Sequence, residues 1–177
     1  MLEAEHRLID EIYSTVTEPE RWPEVLSLIS HAHGGSHVVI GRQDWDGNAG
    51  DLMNHGLPPP MIQRFLTEYG TLASVPYLRV LPAVDIGATI TPEEIYGEAE
   101  WLSDPAFRAV FADFGLRYLL STVLQKEPEF GRVMALVRGG DGGPFRAEER
   151  SRVQWLAQHL SRALLLAHSL AEARGTR

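Results

Sequence analysis

The residues whose types could do chemistry are, first, the seven histidines. His31, His33, His37 and His55 fall within one stretch, and imidazoles gathered from neighbouring elements are the usual ligands of zinc. His31-x-His33, however, straddles the end of a helix, where the two rings point apart. Acidic partners near them are sparse, and ligand geometry is demanding. These histidines read as structural or solvated. His159 and His168, nine residues apart on the last helix, face different directions, and His159 reads as a hydrogen-bonding group within a helix interface. Asp44-x-Asp46-x-Asn48 begins like a calcium loop but lacks the glycine at the sixth position and has His55 at the twelfth, where glutamate is needed, so it is a turn. Gly139-Gly140-Asp141-Gly142-Gly143 lacks the lysine of a phosphate loop. Neither a Gly-x-Ser-x-Gly elbow nor a His-Glu-x-x-His pair is present. With zero cysteines, disulfides, Cys-based zinc sites and thiol catalysis are excluded. Glu18, Glu20, Glu93, Glu94, Glu148 and Glu149 sit at helix starts, where the helix dipole accounts for them. The chain therefore reads as a non-enzyme, with no metal and no cofactor.

Aromatic residues are the remaining signal. Tyr69, Tyr77, Tyr96, Trp101, Phe107, Phe111 and Tyr118 all fall in the middle of the chain. Tyr and Trp offer an apolar body and a polar tip, the two things a small-molecule pocket needs. Tyr77, Trp101 and Tyr118 are expected to face a ligand, with Tyr69, Phe111 and Trp45 beside them. Gln43, Ser121 and Met134 join from the sheet if strand parity allows. The competing reading of the same rings is ordinary core.

The elements that must position these residues follow from periodicity. Glu3 to Val16 predicts a helix with Leu8, Ile9, Ile12, Tyr13 and Val16 on one face. Thr17 with Glu20 reads as a capping box, Pro19 sits in a first turn, and a second helix runs to about His33 before Gly34-Gly35. Ser36 to Trp45 and Leu52 to His55 are strands joined by a turn at Asp46-Gly47-Asn48. Short helices follow at Met61 to Tyr69, from Val75 to the stop at Pro82, from Thr91-Pro92 onward, and from Asp104-Pro105 to Gly115. Gly87 to Ile90 is a short edge strand between them. Arg117 to Gln125 and Arg132 to Arg138 form a second hairpin. Residues 147–174 predict a helix roughly 40 Å long at ~1.5 Å per residue, about the full width of a compact chain of this length. Along it Val153, Leu156, Leu160, Ala163, Ala167 and Leu170 alternate three and four apart, a coiled-coil-like seam, and Trp155, Ala157, Leu164 and Ala171 widen it. Such a helix suits homodimer formation or signal passing. The class is α+β, with antiparallel hairpins and helices on the sheet, and residues 1–177 read as a single domain.

Composition bounds the partners. Among 177 residues, 44% are hydrophobic and 23% charged, ordinary for a soluble globular protein. No apolar run approaches the ~18 residues of a membrane span, and the start MLEAEHRLIDEIY lacks a signal-peptide core. With zero cysteines, this agrees with a cytoplasmic location. The net charge of −8 argues against direct nucleic-acid binding by this chain.

EIYSTVTEPERWPEVLSLISHAHGG, DPAFRAVFADFGLRYLL and GPFRAEERSRVQWLAQHLSRAL together resemble the N-terminal sensor region of LuxR-type helix-turn-helix transcriptional regulators. The resemblance is to the GAF/PAS-like version, not the acyl-homoserine-lactone-binding one. Pro19 with Arg21-Trp22-Pro23, and His159-Leu160 with Arg162-Ala163, carry most of it. It implies an antiparallel sheet of five or six strands, the two N-terminal helices and the last helix on one face, and the middle helices covering a ligand cavity on the other. Glu18 stands where that family often has aspartate, and Arg146 where it often has a Ser or Thr cap. Nothing after Leu170 encodes a helix-turn-helix, so the chain is expected to be a sensor fragment or to act without its own DNA-binding part. The function expected is a ligand-responsive sensory domain that couples a small apolar or aromatic molecule to the arrangement of a helix dimer. The alternatives are a dimerisation or scaffold domain without a ligand, and a small enzyme using the central pocket.

Overall fold

The computed structural model describes residues 2–70 and 75–175. In chain order the elements are α1 (Leu2–Ser14), a 3-10 turn (Pro19–Arg21), α2 (Trp22–Ala32), β1 (His37–Asp44), β2 (Ala49–His55) and α3 (Pro59–Arg64), which runs on as a wider turn through Phe65–Tyr69. Next come a 3-10 stretch (Pro76–Ala83), β3 (Thr89–Ile90), α4 (Pro92–Tyr96), α5 (Glu98–Ser103), α6 (Pro105–Val110) and a 3-10 turn (Ala112–Phe114). The chain closes with β4 (Tyr118–Lys126), β5 (Phe130–Arg138), a 3-10 turn (Gly140–Gly142) and α7 (Ala147–Ala173).

The strands form one five-stranded sheet in the order β2-β1-β5-β4-β3, all neighbours antiparallel. Side chains alternate across it, so β1, β4 and β5 each serve two cores. On one face Val38, Ile40, Leu120, Leu124, Met134 and Leu136 pack with Leu8 and Ile12 of α1, Val25, Leu26 and Ile29 of α2, and Val153, Leu156 and Leu160 of α7. On the other, Leu119, Val123 and Val137 meet Leu57, Met61, Tyr77, Leu81, Trp101, Phe107 and Val110 from the middle segments. This is the α+β architecture expected, with the first two helices and the last on one face.

Local chemistry sets the boundaries. Thr17 makes no capping box: the second helix enters through the 3-10 turn Pro19–Arg21, and Glu18 spends its carboxylate on Arg21 Nε at 2.7 Å. Asp104 caps α6 as expected, its Oδ1 accepting from Ala106 N at 2.7 Å. Glu94 accepts from Thr91 N at 2.7 Å, closing the start of α4. Glu149 does more than greet a helix dipole. It receives Arg138 Nη1 at 2.7 Å and Nη2 at 3.1 Å, both side chains only 11% exposed, and so ties β5 to the first turn of α7.

The predicted seam on α7 needs a correction. Val153, Leu156, Ala157, Leu160 and Ala163 are all buried against the chain's own sheet and helices, and burial of α7 ends at Ala163. Beyond it, 164–173 extend about 15 Å further at ~1.5 Å per residue. There Leu165 and Leu166 are 61% and 50% exposed. Spare apolar surface is therefore confined to the C-terminal third of the helix and to Trp155, 39% exposed.

Candidate ligand cavity

The cavity follows from what stands in the middle of the sheet. One cross-strand row runs Val39–Ala135–Ser121–Ile90, and beside it Gly41 pairs with Val133. Alanine, serine and glycine at these positions leave a hollow where larger side chains would fill the space under the covering helices. Leu52 reaches into it: a Cβ on Gly41 would stand 2.0 Å from Leu52 Cδ2.

Over this floor the middle segments form an arch. Arg64 pins α3 to α6, donating to Ala109 O at 2.7 Å and Asp113 Oδ2 at 3.0 Å. Arg117, at the foot of β4, holds Glu93 of α4 at 3.0 Å and Glu98 of α5 at 2.7 Å. Beneath these ties sits a cluster of rings centred on Trp101, which is 1% exposed. Its centroid lies 5.0 Å from Phe107, 5.7 Å from Phe111, 6.1 Å from Tyr96 and 6.2 Å from Tyr77, separations typical of attractive aromatic pairs.

Floor and arch border a partly open cavity of about 120 Å³. Its walls are Val39, Leu52, Leu57, Met61, Phe65, Leu81, Trp101, Val110, Leu119, Val133, Ala135 and Val137, among other apolar groups. Polar atoms come from Gln43, Ser121 and Tyr77. The Gln43 amide is spent on backbone, Nε2 donating to Asp44 O at 3.0 Å and Gly70 O at 3.3 Å. Tyr77 donates to Ile90 O at 3.4 Å and also meets the Ser121 hydroxyl. Burial pushes the Tyr77 phenol well above its ordinary value, so it remains a neutral donor. Arg42 contributes to the rim, but its guanidinium is engaged at the surface by Asp44 at 2.7 Å and lies 3.8 Å over the Phe130 ring. The chamber thus offers apolar contact and hydroxyl groups, without an ionised side chain to match a charged guest. Trp101 Nε1 and the Tyr96 hydroxyl are buried without a hydrogen-bond partner among the described residues.

Of the residues expected to face a ligand, Tyr77, Trp101 and Phe111 line this cavity together. Tyr69 packs at the edge of the same core, outside the lining. Trp45 caps the end of the sheet, its Nε1 donating to Glu127 O at 3.0 Å and its ring lying where Gly131 has no side chain. Tyr118 is placed elsewhere. Leu119 and Ser121 point into the cavity while Leu120 and Leu124 enter the opposite core, so alternation puts Tyr118 on the α7 side, beneath the Arg117 guanidinium at 4.7 Å. Parity likewise brings Gln43 and Ser121 to the cavity and sends Met134 to the other core. The aliphatic wall was not singled out from sequence; its one legible trace is the alternation Val133-x-Ala135-x-Val137, whose small central residue marks the hollow.

Among the described residues no group of three or more His, Asp or Glu is placed to hold a metal ion. His33 lies buried with Nδ1 2.9 Å from Ile29 O, and His159 meets the Tyr13 hydroxyl at 3.1 Å, as a helix-interface histidine should.

No protein-family model matches the sequence, and no curated protein matches it. Its fold is shared with solved structures of two kinds. The ligand-binding domain of VqsR from Pseudomonas aeruginosa superposes with a TM-score of 0.70 at 14% identity, over 94% of this chain and 97% of that one. The N-acylhomoserine lactone dependent LuxR family factor CepR2 from Burkholderia cenocepacia gives 0.59 at 17% identity, over 89% and 90%. The GAF domain/HD domain protein from Geobacter sulfurreducens gives 0.59 at 16%, over 82% and 93%. The fold is thus that of the ligand-binding domains of LuxR-type regulators and of GAF domains. Both share one scaffold, and the likeness is one of fold.

Proposed function

We propose that this chain is the sensory domain of a LuxR-type regulator, acting as one unit. In this reading a small, uncharged, largely apolar molecule occupies the cavity against Tyr77, Trp101 and Phe111. Its occupancy then biases how the end of α7 pairs with a second copy. The observation that carries it is the apolar chamber of about 120 Å³ on the face of the sheet opposite α7, in a fold shared with regulator ligand-binding domains. An apolar cavity of about 150 Å³ accepts a benzene ring, so the guest is of single-ring size. A ligand acts on the helix pair only through different affinities for its two arrangements.

Thermal shift and native mass spectrometry of the full chain against small neutral organic compounds test this. Binders should stabilise the wild type and lose their effect in Ala135→Leu, which fills the hollow. No binder in such a screen, together with Ala135→Leu as stable as or more stable than wild type, sinks the ligand reading. That outcome would favour a dimerisation domain without a ligand, because apolar voids of this size also remain empty and dry.

A further inference from the structure

The cavity and α7 lie on opposite faces of the sheet, so any influence between them must cross it or go round its edge. β1 and β5 are paired on both sides through long ladders, and β4 through one to β5, the part of a fold that opens last. β3 is different. It has two residues, is paired only to β4, and meets its neighbour at Thr89↔Thr122 and Ile90↔Ser121. Beyond this short backbone pairing, side-chain bonds reach the strand from both faces. From the cavity, Tyr77 donates to Ile90 O at 3.4 Å. From α7, Arg150 donates to Thr89 Oγ1 at 3.1 Å and to Thr89 O at 3.0 Å, and Gln154 to Thr89 Oγ1 at 3.3 Å. The same Arg150 holds Glu94 of α4 through bonds of 2.8 and 3.2 Å. α4 leads directly into α5, which carries Trp101 of the cavity wall.

We propose that β3 and Arg150 form the mechanical link between the cavity and α7: a guest that draws on the Tyr77 hydroxyl or shifts α4 and α5 moves Thr89–Ile90, and Arg150 carries the displacement into the first turns of the helix. The link takes its purpose from the sensory reading above, while its geometry stands independently. Tyr77→Phe deletes the hydroxyl and keeps the ring, mimicking a guest that has captured the donor. Hydrogen exchange on the full chain reads the result. Amides of β3 and of 150–156 in α7 should exchange about three- to tenfold faster, the weight of one neutral hydrogen bond, with β5 amides unchanged. In an Arg150→Gln background the same substitution should loosen β3 alone. Thr89→Val, which keeps the shape and loses the hydroxyl, should weaken the transmission in the same direction. β3 loosening with α7 unmoved in both backgrounds overturns the link. So does acceleration in α7 that persists undiminished in Arg150→Gln. A uniform rise including β5 would mean global destabilisation; the link then stands or falls on whether Thr89→Val alone accelerates 150–156 with β5 unmoved. A screen that finds binders while this response is absent removes the link and leaves the sensory reading. A coupling from Tyr77 to Arg150 without any binder does the reverse.

Discussion

At the scale of single residues, two buried polar groups set how the fold answers to pH. The Arg138 guanidinium draws the Glu149 carboxyl down to about 2 from its ordinary 4.5. Because the folded value lies below the unfolded one, the stabilisation is complete above about 4.5 and is lost as pH falls toward 2. It is worth about 3 kcal/mol at neutral pH by the conversion of ~1.4 kcal/mol per pH unit. Glu149→Gln leaves Arg138 buried without its counter-charge, and should cost about 3–5 kcal/mol, seen as a Tm lower by several degrees and a flatter acid limb. His33 works over a different range. Burial lowers its pKa, its Nε2 has no partner among the described residues, and Arg152 and Arg138 add positive charge nearby. The fold thus prefers the neutral ring, and stability should be full above about 6.5 and decline as pH falls below it. Denaturant titrations at pH 7.5 and 5.5 check this: the difference should shrink in His33→Gln. The sequence displayed both residues but not these roles. Glu149 read as a helix-start acid because its partner lies on another element, and a contact between β5 and α7 leaves no trace in local spacing.

At the scale of elements, the legible parts were those with strong local signals. Prolines and acids mark the starts of α4 and α6, and alternation marks the two hairpins, so these stand within a residue or two of their expected bounds, except that β2 begins at Ala49, three residues before the expected Leu52. The capping box at Thr17 failed because the helix enters through the 3-10 turn Pro19–Arg21, which puts Glu18 rather than Thr17 at the cap position. The site itself was half legible. Rings within the middle segments could be recognised, but Tyr118 could not be assigned to a face until the register of β4 was known, since a shift by one residue reverses every side chain. Gly41 gives a test at this scale. Gly41→Ala would force Leu52 aside, and because the clash is with the end of a flexible side chain, the fold should survive with a loss of about 1 kcal/mol. Affinity for any cavity binder should change far more than Tm, as calorimetry on the variant would show.

At the scale of the whole molecule, α7 divides at Ala163 into a part committed to its own domain and a part that is not. If the second part pairs with a copy, Leu165→Glu with Leu166→Glu should yield monomers by light scattering. The Tm should move little, because both side chains are already exposed in the chain. A dimer that persists would place the interface elsewhere, with Trp155 the next surface to test. The length of α7 was evident from its periodicity, yet which turns are already covered was not, because one apolar stripe serves a sheet and a partner helix equally well. Along β5 the division is by parity instead. Val133, Ala135 and Val137 belong to the chamber, while Met134 and Leu136 belong to the core beneath α7. A combinatorial library confined to the odd positions of that strand would therefore reshape the chamber while the half of the protein that holds α7 keeps its native interior, which, under the sensory reading proposed above, makes this partition wall a natural place to begin engineering a biosensor.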